Sequence, residues 1–298
     1  MPKANGKKEI KEKKEKRKSI KNAIVISDLH CGCQMALCPP KVKLDTGGKY
    51  EASHYQMKIW ECWQSFWNEW VPRVTRNEPY CVVLNGDALD GRHHNAVTQI
   101  SQNLADQHNI AMEILGPITE KCNGKLYFIR GTEAHVGPAA ENEERLAREL
   151  KTVTDENGNY SRFELYLDLG GCLAHFNHHI GTTGSMHYES TALMKEYTEF
   201  CADSARWARK LPDIVIRSHR HRKAEIKVPS HRGEGICFTT AGWQLRTPFV
   251  YRIPGGRITT PMIGGSLVRQ GDEEFYARHQ VWETKRPKTS RPRIEVAQ

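Results

Sequence analysis

The chain has 298 residues, of which 38% are hydrophobic and 27% charged, and its formal net charge is +9. These proportions are typical of a globular protein that is long enough to bury a sizeable core. No run of about 18 apolar residues occurs, so we expect no membrane-spanning helix. The N-terminus lacks the apolar segment of a secretory signal. We therefore expect a cytoplasmic protein with no membrane partner.

The positive charge is concentrated at the N-terminus. Residues 1–21 contain ten Lys or Arg residues and three Glu residues, whereas the rest of the chain contains 34 basic and 32 acidic residues. Few apolar residues and many like charges predict a disordered arm. Such an arm can bind the phosphates of DNA or RNA, or it can simply keep the protein in solution. At the other end, residues 284–298 predict a loose tail, which leaves 22–283 as a single predicted domain.

The nine cysteines are odd in number and scattered along the chain. They predict reduced thiols rather than a complete disulfide framework. Cys31, Cys33 and Cys38 lie close together but contain no CxxC pair, which disfavours a separate zinc site. We expect these thiols to pack beneath a loop.

The first predicted strand covers 23–26 and is apolar enough to be buried on both faces. The Cys-, Pro- and Gly-rich stretch 31–53 predicts a loop folded over the sheet edge. A helix ending near Pro72 follows. Its tryptophans fall on one stripe, which we interpret as core, with a base-stacking platform as the alternative: Trp60, Trp63, Trp67 and Trp70.

Strands at 80–85 and 125–130, with one or two helices between them, predict parallel crossovers in a layered α/β protein. The second half of the chain predicts mainly antiparallel strands separated by short turns, apart from a helical segment at about 180–212. These strands lie at 162–169, 171–176, 213–218, 224–228 and 236–241.

Potential metal ligands follow nearly every predicted strand: Asp28 and His30; Asp87; Thr132, Glu133 and His135; His178 and His179; His219 and His221. Because the ends of neighbouring strands meet at one edge of a sheet, we expect these side chains to lie close together. Mixed carboxylate and imidazole ligands suit Mn, Fe or Zn, and a shared carboxylate can bridge two ions. The pattern therefore predicts a metal centre.

The segments SDLH, NGDALD, RGTEAH, FNHH and SHRH resemble, in order, the signature of the calcineurin-like metallophosphoesterases: DxH, GDxxD, GNH[DE], a lone His and GHxH. The resemblance covers residues 24 to about 245. DLHCGCQMALCPP and TTAGWQLRTPF are similar to members encoded by bacteriophages and prophages. The resemblance implies a four-layer α/β/β/α sandwich with two divalent metal ions, expected to be Mn, with Fe, Zn, Ni or Mg as alternatives.

The resemblance also implies which residues hold the ions: Asp28, His30 and His221 the first, His178 and His219 the second, and Asp87 both. His179 is the alternative to His178. Asp90, the second acid of GDxxD, is expected to orient a ligand.

The segment RGTEAH departs from the family pattern. Thr132 stands where the family has a ligating Asn, and its hydroxyl is a poorer ligand than an amide oxygen. Either Glu133 takes that place, or Thr132 does and the second site is weak. The imidazole that protonates the leaving group in the family comes two residues later here, at His135. We expect His135 to be the general acid, brought into reach by a flexible loop.

His93, His94 and Arg130 are expected to bind the phosphate oxygens that do not react. A structural ion pair is the alternative for Arg130. Motifs of serine hydrolases and phosphate-binding NTPases, GxSxG and GxxxxGK[ST], are absent from the sequence.

These residues together predict a metal-dependent phosphoesterase, and we expect a phosphodiesterase acting on nucleic acid or nucleotides with an activated water. A phosphomonoesterase of the same fold is one alternative. A non-catalytic nucleic-acid-binding protein on a degenerate scaffold is another, and the Asn-to-Thr change is its main support. The sequence leaves the oligomeric state open.

Overall fold

The structure is a computed structural model that describes residues 19–93, 95–181, 186–230, 233–252, 260–284 and 289–290. Most of the predicted basic arm, most of the predicted C-terminal tail and His94 lie outside the described residues. No helix in the described part of the chain is both long and apolar enough to cross a membrane.

The described strands, in chain order, are β1 Asn22–Ile26, β2 Lys41–Lys43, β3 Lys49–Glu51, β4 Tyr80–Asn85, β5 Leu126–Ile129, β6 Ser161–Arg162, β7 Glu164–Asp168, β8 Leu173–Asn177, β9 Ile214–Arg217, β10 Ala224–Ser230, β11 Gly233–Thr239, β12 Met262–Gln270 and β13 Phe275–Glu283. The α-helices are α1 His54–Ser65, α2 Val71–Thr75, α3 Leu104–Lys121, α4 Glu133–Val136, α5 Glu141–Glu149 and α6 Glu189–Arg206. A π-helical turn, Phe66–Trp70, joins α1 to α2, and 3₁₀ turns cover Met186–Tyr188 and Val250–Arg252.

Sheet 1 has the strand order β13-β12-β1-β4-β5-β6. Strands β1, β4, β5 and β6 are parallel to one another, as the alternation of strands and helices predicts. Strands β12 and β13, which were not among the predicted strands, extend the sheet in antiparallel fashion. Gly264 and Gly265 interrupt the apolar pattern of β12, which weakens the strand signal there.

Sheet 2 has the order β10-β11-β9-β8-β7. The prediction of a mainly antiparallel second half is wrong for the centre of this sheet, because β9 runs parallel to both β8 and β11. Helix α6 connects β8 to β9. It carries the chain back to the end of the sheet where β8 begins, so that β9 can run parallel to β8. Only the outer pairs, β7 with β8 and β10 with β11, are antiparallel.

Three apolar clusters divide these elements into four layers. One cluster packs α1, α3 and α5 on sheet 1, a second fills the space between the two sheets, and a third packs α6 on sheet 2. The protein is therefore an α/β/β/α sandwich, and the predicted fold class is confirmed.

The tryptophan stripe belongs to the helix layer. Trp63, Trp67 and Trp70 are buried, and Trp60 packs partly buried against the same cluster, so the core interpretation is confirmed. The helix ends at Thr75, three residues beyond Pro72, so Pro72 lies near its end as predicted. Pro72 lies two residues after the π-helical turn, within a helical segment that runs without a break from α1 to α2.

The stretch 31–53 is a loop that contains the short hairpin of β2 and β3. Isolated bridges tie the start of the loop to neighbouring segments. Cys31, Cys33 and Cys38 are buried beneath it, and all nine cysteines are free. None of the metal-ligand groups found among the described residues contains a cysteine.

Candidate metal centre

The backbone at the predicted ligands bends sharply where each strand ends. Asp28 and His30 follow β1, Asp87 follows β4, and His219 and His221 follow β9. All five have positive φ, between 44° and 71°. This left-handed region is uncommon for residues other than glycine, and it costs of order 1–3 kcal/mol per residue unless the surroundings hold it. The strained residues therefore point to a site at the carboxyl ends of the strands.

The first ligand group consists of Asp28, His30 and His221. Nε2 of His221 lies 3.3 Å from Oδ1 of Asp28 and 3.1 Å from Nε2 of His30. Asp28 is fully buried, and neither of its carboxylate oxygens accepts a well-formed hydrogen bond from the described residues. A buried carboxylate with no hydrogen bond is costly unless a charge compensates for it, so this group fits a cation.

Asp90 lies next to Nδ1 of His30, on the side of the ring opposite Nε2. Its Oδ1 lies 3.5 Å from Nδ1 of His30, and the amides of Gln99 and Gln244 approach the same carboxylate at 3.1 and 3.4 Å. A carboxylate on the far nitrogen fixes the orientation of a ligating imidazole. This geometry suits the orienting role predicted for Asp90.

The second ligand group consists of Asp87, His178 and His219. Nδ1 of His178 is 2.7 Å from the carbonyl oxygen of Asn85, so a proton on Nδ1 leaves Nε2 to face Oδ2 of Asp87 at 3.0 Å. His178 is buried, whereas His179 is exposed beside His219. Of the two histidines, His178 is the one placed to act as a ligand.

Thr132 completes the second group. Its Oγ1 lies 3.1 Å from Oδ2 of Asp87, 3.2 Å from Nε2 of His178 and 3.1 Å from Nδ1 of His219. Glu133 is exposed and joins none of the ligand groups found among the described residues. Of the two residues that could replace the family's Asn, Thr132 is therefore the one that faces the second ligand group, and Glu133 is not.

The two groups are connected through the backbone. The N–H of Asp28 donates to Gly86 O at 3.0 Å, and the N–H of His30 donates to Asp87 O at 3.0 Å. Gly131 approaches Asp87 so closely that a Cβ there would overlap the carboxylate. The turns after β1, β4 and β5 are thus packed into one rigid edge.

Charges in the centre are strongly coupled. Burial alone would raise the pKa of Asp28, but the neighbouring His221 lowers it to about 2. Burial likewise opposes ionisation of Asp87, yet His178 brings its pKa well below the usual range. Burial disfavours the charged form of His178, but Asp87 raises its pKa to about 10. The lowered pKa values of both carboxylates show that positive charge beside them favours their ionised form, as it does in a cation site.

His135 is brought to the first group by α4. The two residues that separate it from the family position form part of this helical turn, so the chain needs no flexible loop to carry the imidazole inward. Nδ1 of His135 is 2.7 Å from the carbonyl oxygen of Asp90, and its ring packs edge-on against His30 and His93 at 4.6 and 4.3 Å between centroids. Burial lowers the pKa of His135 to about 4.

The candidate phosphate-binding residues lie in different surroundings. Nε2 of His93 lies 3.5 Å from Oδ1 of Asp90, at the edge of the centre. Arg130 instead donates to Ser161, lies 3.5 Å from Glu144 and covers the ring of Phe163. These contacts match the structural ion pair that was its alternative role.

Sequence reasoning missed Glu143 on α5. This side chain is fully buried and accepts hydrogen bonds from the N–H groups of Ala88 and Gly131. Burial, and then the charge of Asp87, raise the pKa of Glu143 to about 7. Nothing in the local sequence distinguishes it from Glu141 and Glu144 on the same helix.

A cavity of about 500 Å³ opens next to the centre and shares His135 with it. Its walls combine charged, polar and apolar side chains: Arg92, Leu104, Glu133, Ala134, His135, Gly137, Pro138 and Asn142.

Comparisons with known proteins do not assign the chain to a family. No protein-family model matches the chain, and no curated protein does. Among solved structures, vacuolar protein sorting 29 from Cryptosporidium parvum matches with 11% identity, covering 90% of this chain and 100% of that one, at a TM-score of 0.34. A Thermotoga maritima protein solved by NMR matches with 11% identity, coverages of 89% and 100%, and a TM-score of 0.35. The sulfate thiohydrolase SoxB of Thermus thermophilus, in complex with glycerol, matches with 11% identity, coverages of 88% and 56%, and a TM-score of 0.37. At these scores, the interpretation of the site rests on its own residues.

Proposed function

We propose that this chain is a metal-dependent phosphoesterase of the calcineurin-like type, with a centre for two divalent ions. The buried carboxylate of Asp28 carries the proposal, because it faces two imidazoles and accepts no well-formed hydrogen bond from the described residues. Asp28, His30 and His221 would hold one ion. Asp87, His178, His219 and the Thr132 hydroxyl would hold the other.

The ligand chemistry supports divalent transition metals. Carboxylate and imidazole donors together suit Mn, Fe, Zn or Ni better than an all-oxygen site would. We propose Mn as the preferred ion, with Mg as the hard-cation alternative. When bound, such ions lower the pKa of water towards neutrality and neutralise charge on phosphoryl oxygens.

The chain's own residues supply the other functions. Asp90 orients His30 through Nδ1, which leaves Nε2 of His30 for the ion. We propose that His135 protonates the leaving oxygen from Nε2 in its imidazolium form. Its Nδ1 donates to the carbonyl of Asp90, so Nε2 carries a proton only when the ring is charged, a form that the negative charge of a bound phosphate would favour. His93 at the edge of the centre is placed to bind a phosphate oxygen that does not react.

Two observations support a diester substrate. A phosphodiester needs room for a second organic group beside the phosphate, and a cavity of about 500 Å³ opens next to His135. The basic arm adds positive charge suited to a polyanion. We therefore propose a phosphodiesterase acting on nucleic acid or a nucleotide.

The test is hydrolysis of bis-p-nitrophenyl phosphate and p-nitrophenyl phosphate by chelator-stripped protein, with Mn, Ni, Zn or Mg added back. We expect cleavage of the diester only after metal is restored, and slower cleavage of the monoester. Preference for the monoester would indicate a phosphatase on the same scaffold. Absence of turnover with every metal would contradict the enzyme and favour a binding scaffold.

The basic arm is expected to act in nucleic-acid binding and not in chemistry. Deleting residues 2–18 removes nine Lys or Arg residues, and it keeps Ile20, which packs on the cluster between the sheets, and Lys21, which pairs with Asp272. We expect weaker DNA or RNA binding with a shallower salt dependence, by about 0.9 in the log–log slope for each duplex phosphate that the arm no longer neutralises. Turnover of bis-p-nitrophenyl phosphate should not change. Fluorescence anisotropy across a salt series measures the first effect, and an unchanged slope would contradict this role.

A further inference from the structure

Glu143 is buried against two turns of the candidate metal centre, but it is neither a proposed metal ligand nor a proposed proton donor. Its Oε1 accepts the N–H of Ala88 at 2.9 Å, and its Oε2 accepts the N–H of Gly131 at 2.7 Å. Both carboxylate oxygens are therefore engaged by backbone donors. A carboxylate that accepts two N–H groups is a strong, directional link.

The two donors belong to the turns that carry the second ligand group. Ala88 directly follows Asp87, and Gly131 directly precedes Thr132. The same turns are joined on their other side by the N–H of Thr132, which donates to Oδ1 of Asp87 at 2.6 Å. Glu143 thus helps to set the spacing between Asp87 and Thr132.

The helix that carries Glu143 is held firmly. Leu146 and Ala147 of α5 are fully buried in the cluster between the helix layer and sheet 1. The buried side chains of α5 therefore hold the helix, and with it the backbone of Glu143, in place. Side chains on rigid elements position ligands more precisely than side chains on loops.

We propose that Glu143 is a positioning residue of the second ligand group, and that it clamps the turns after β4 and β5 so that Asp87 and Thr132 meet His178 and His219. The effect on metal affinity rests on the proposed two-ion function. The effect on the spacing of the two turns does not depend on that function.

Glu144 offers a matched control on the same helix. Its carboxylate accepts the N–H groups of Tyr160 and Ser161 at 3.1 and 2.8 Å, so it performs the same chemistry at the edge strand β6 instead of at the ligand turns. Glu143→Gln replaces one acceptor oxygen with an NH₂ group that faces a backbone N–H. Glu144→Gln does the same away from the centre.

The test is calorimetric titration of chelator-stripped, full-length protein with MnCl₂. In Glu143→Gln we expect one of the two ions to bind about 10- to 100-fold more weakly, the range found when groups that support metal ligands are changed. Glu144→Gln should bind both ions as the wild type does, even if both variants lose thermal stability. Wild-type affinity in Glu143→Gln, or an equal loss in both variants, would overturn the proposal.

A second readout separates this proposal from the proposed function. Hydrogen exchange of the metal-free proteins should speed up in a peptide covering 86–91 for Glu143→Gln, and not for Glu144→Gln. The turn at 130–135 is not used for this comparison, because Glu144 pairs with Arg130 there. If the wild type binds no Mn, the two-ion function is wrong. The exchange data still show whether Glu143 holds the two turns together. If Glu143→Gln does not fold, Glu143→Asp is measured instead, since it keeps both acceptors but shortens their reach and should show the same two effects.

Discussion

Replacing Asp87 with Asn is expected to lower kcat for metal-dependent hydrolysis of bis-p-nitrophenyl phosphate by at least about 10³-fold. Burial opposes ionisation of Asp87, but His178 brings its pKa well below the usual range. Its Oδ2 faces His178 and Thr132 in the second ligand group. An amide at this position removes the negative charge that holds the cation. Metal ions contribute several kcal/mol to charge stabilisation in the transition state, and about 4 kcal/mol corresponds to that factor.

The variant should still fold. The Oδ1 atom of an Asn can accept the N–H of Thr132 as Asp87 does, and the substitution removes a buried charge. Asp106→Asn is the control, because Asp106 is also buried and accepts a backbone N–H, that of Asp45, away from the ligand groups. Steady-state kinetics beside thermal unfolding check both variants. A wild-type rate in Asp87→Asn would contradict the two-ion mechanism.

Replacing His135 with Gln is expected to have an effect that depends on the leaving group. General acid catalysis contributes about 10²- to 10⁴-fold, and it matters most when the departing oxygen is basic. We expect kcat to fall at least about 10²-fold for diphenyl phosphate and much less for bis-p-nitrophenyl phosphate, whose p-nitrophenolate leaves without a proton.

His108→Gln is the matched control for this experiment. His108 is a buried histidine that pairs with Glu149 at 2.7 Å between α3 and α5. Its loss should change stability without changing the ratio of the two rates. Equal losses on both diesters in His135→Gln would show that His135 supports the site without donating the proton.

The ends of the strands were the most predictable part of the site. Asp28, His30 and Asp87 directly follow apolar runs, and parallel strands bring such positions together whatever lies between them. Their left-handed backbone could not be predicted, because residues other than glycine adopt it only when tertiary contacts hold them there.

Longer-range features were harder to predict. The parallel centre of sheet 2 depends on how α6 crosses between β8 and β9, which local strand patterns do not encode. The choice between Thr132 and Glu133 depends on where α4 begins, since its first turn points Glu133 to solvent. Glu143 escaped detection because its partners, Ala88 and Gly131, are 55 and 12 residues away and contribute only backbone atoms.

The central claim is that two ions bind in the two ligand groups. Anomalous diffraction from crystals grown with MnCl₂ tests it most directly. The account predicts two peaks about 3.5–4 Å apart, one in contact with Asp28, His30 and His221, the other with Asp87, His178 and His219. His30, Asp90 and His135 also bring three ligand atoms within 4.8 Å of one another. A single peak in that third group, or no peak at all, would contradict the account.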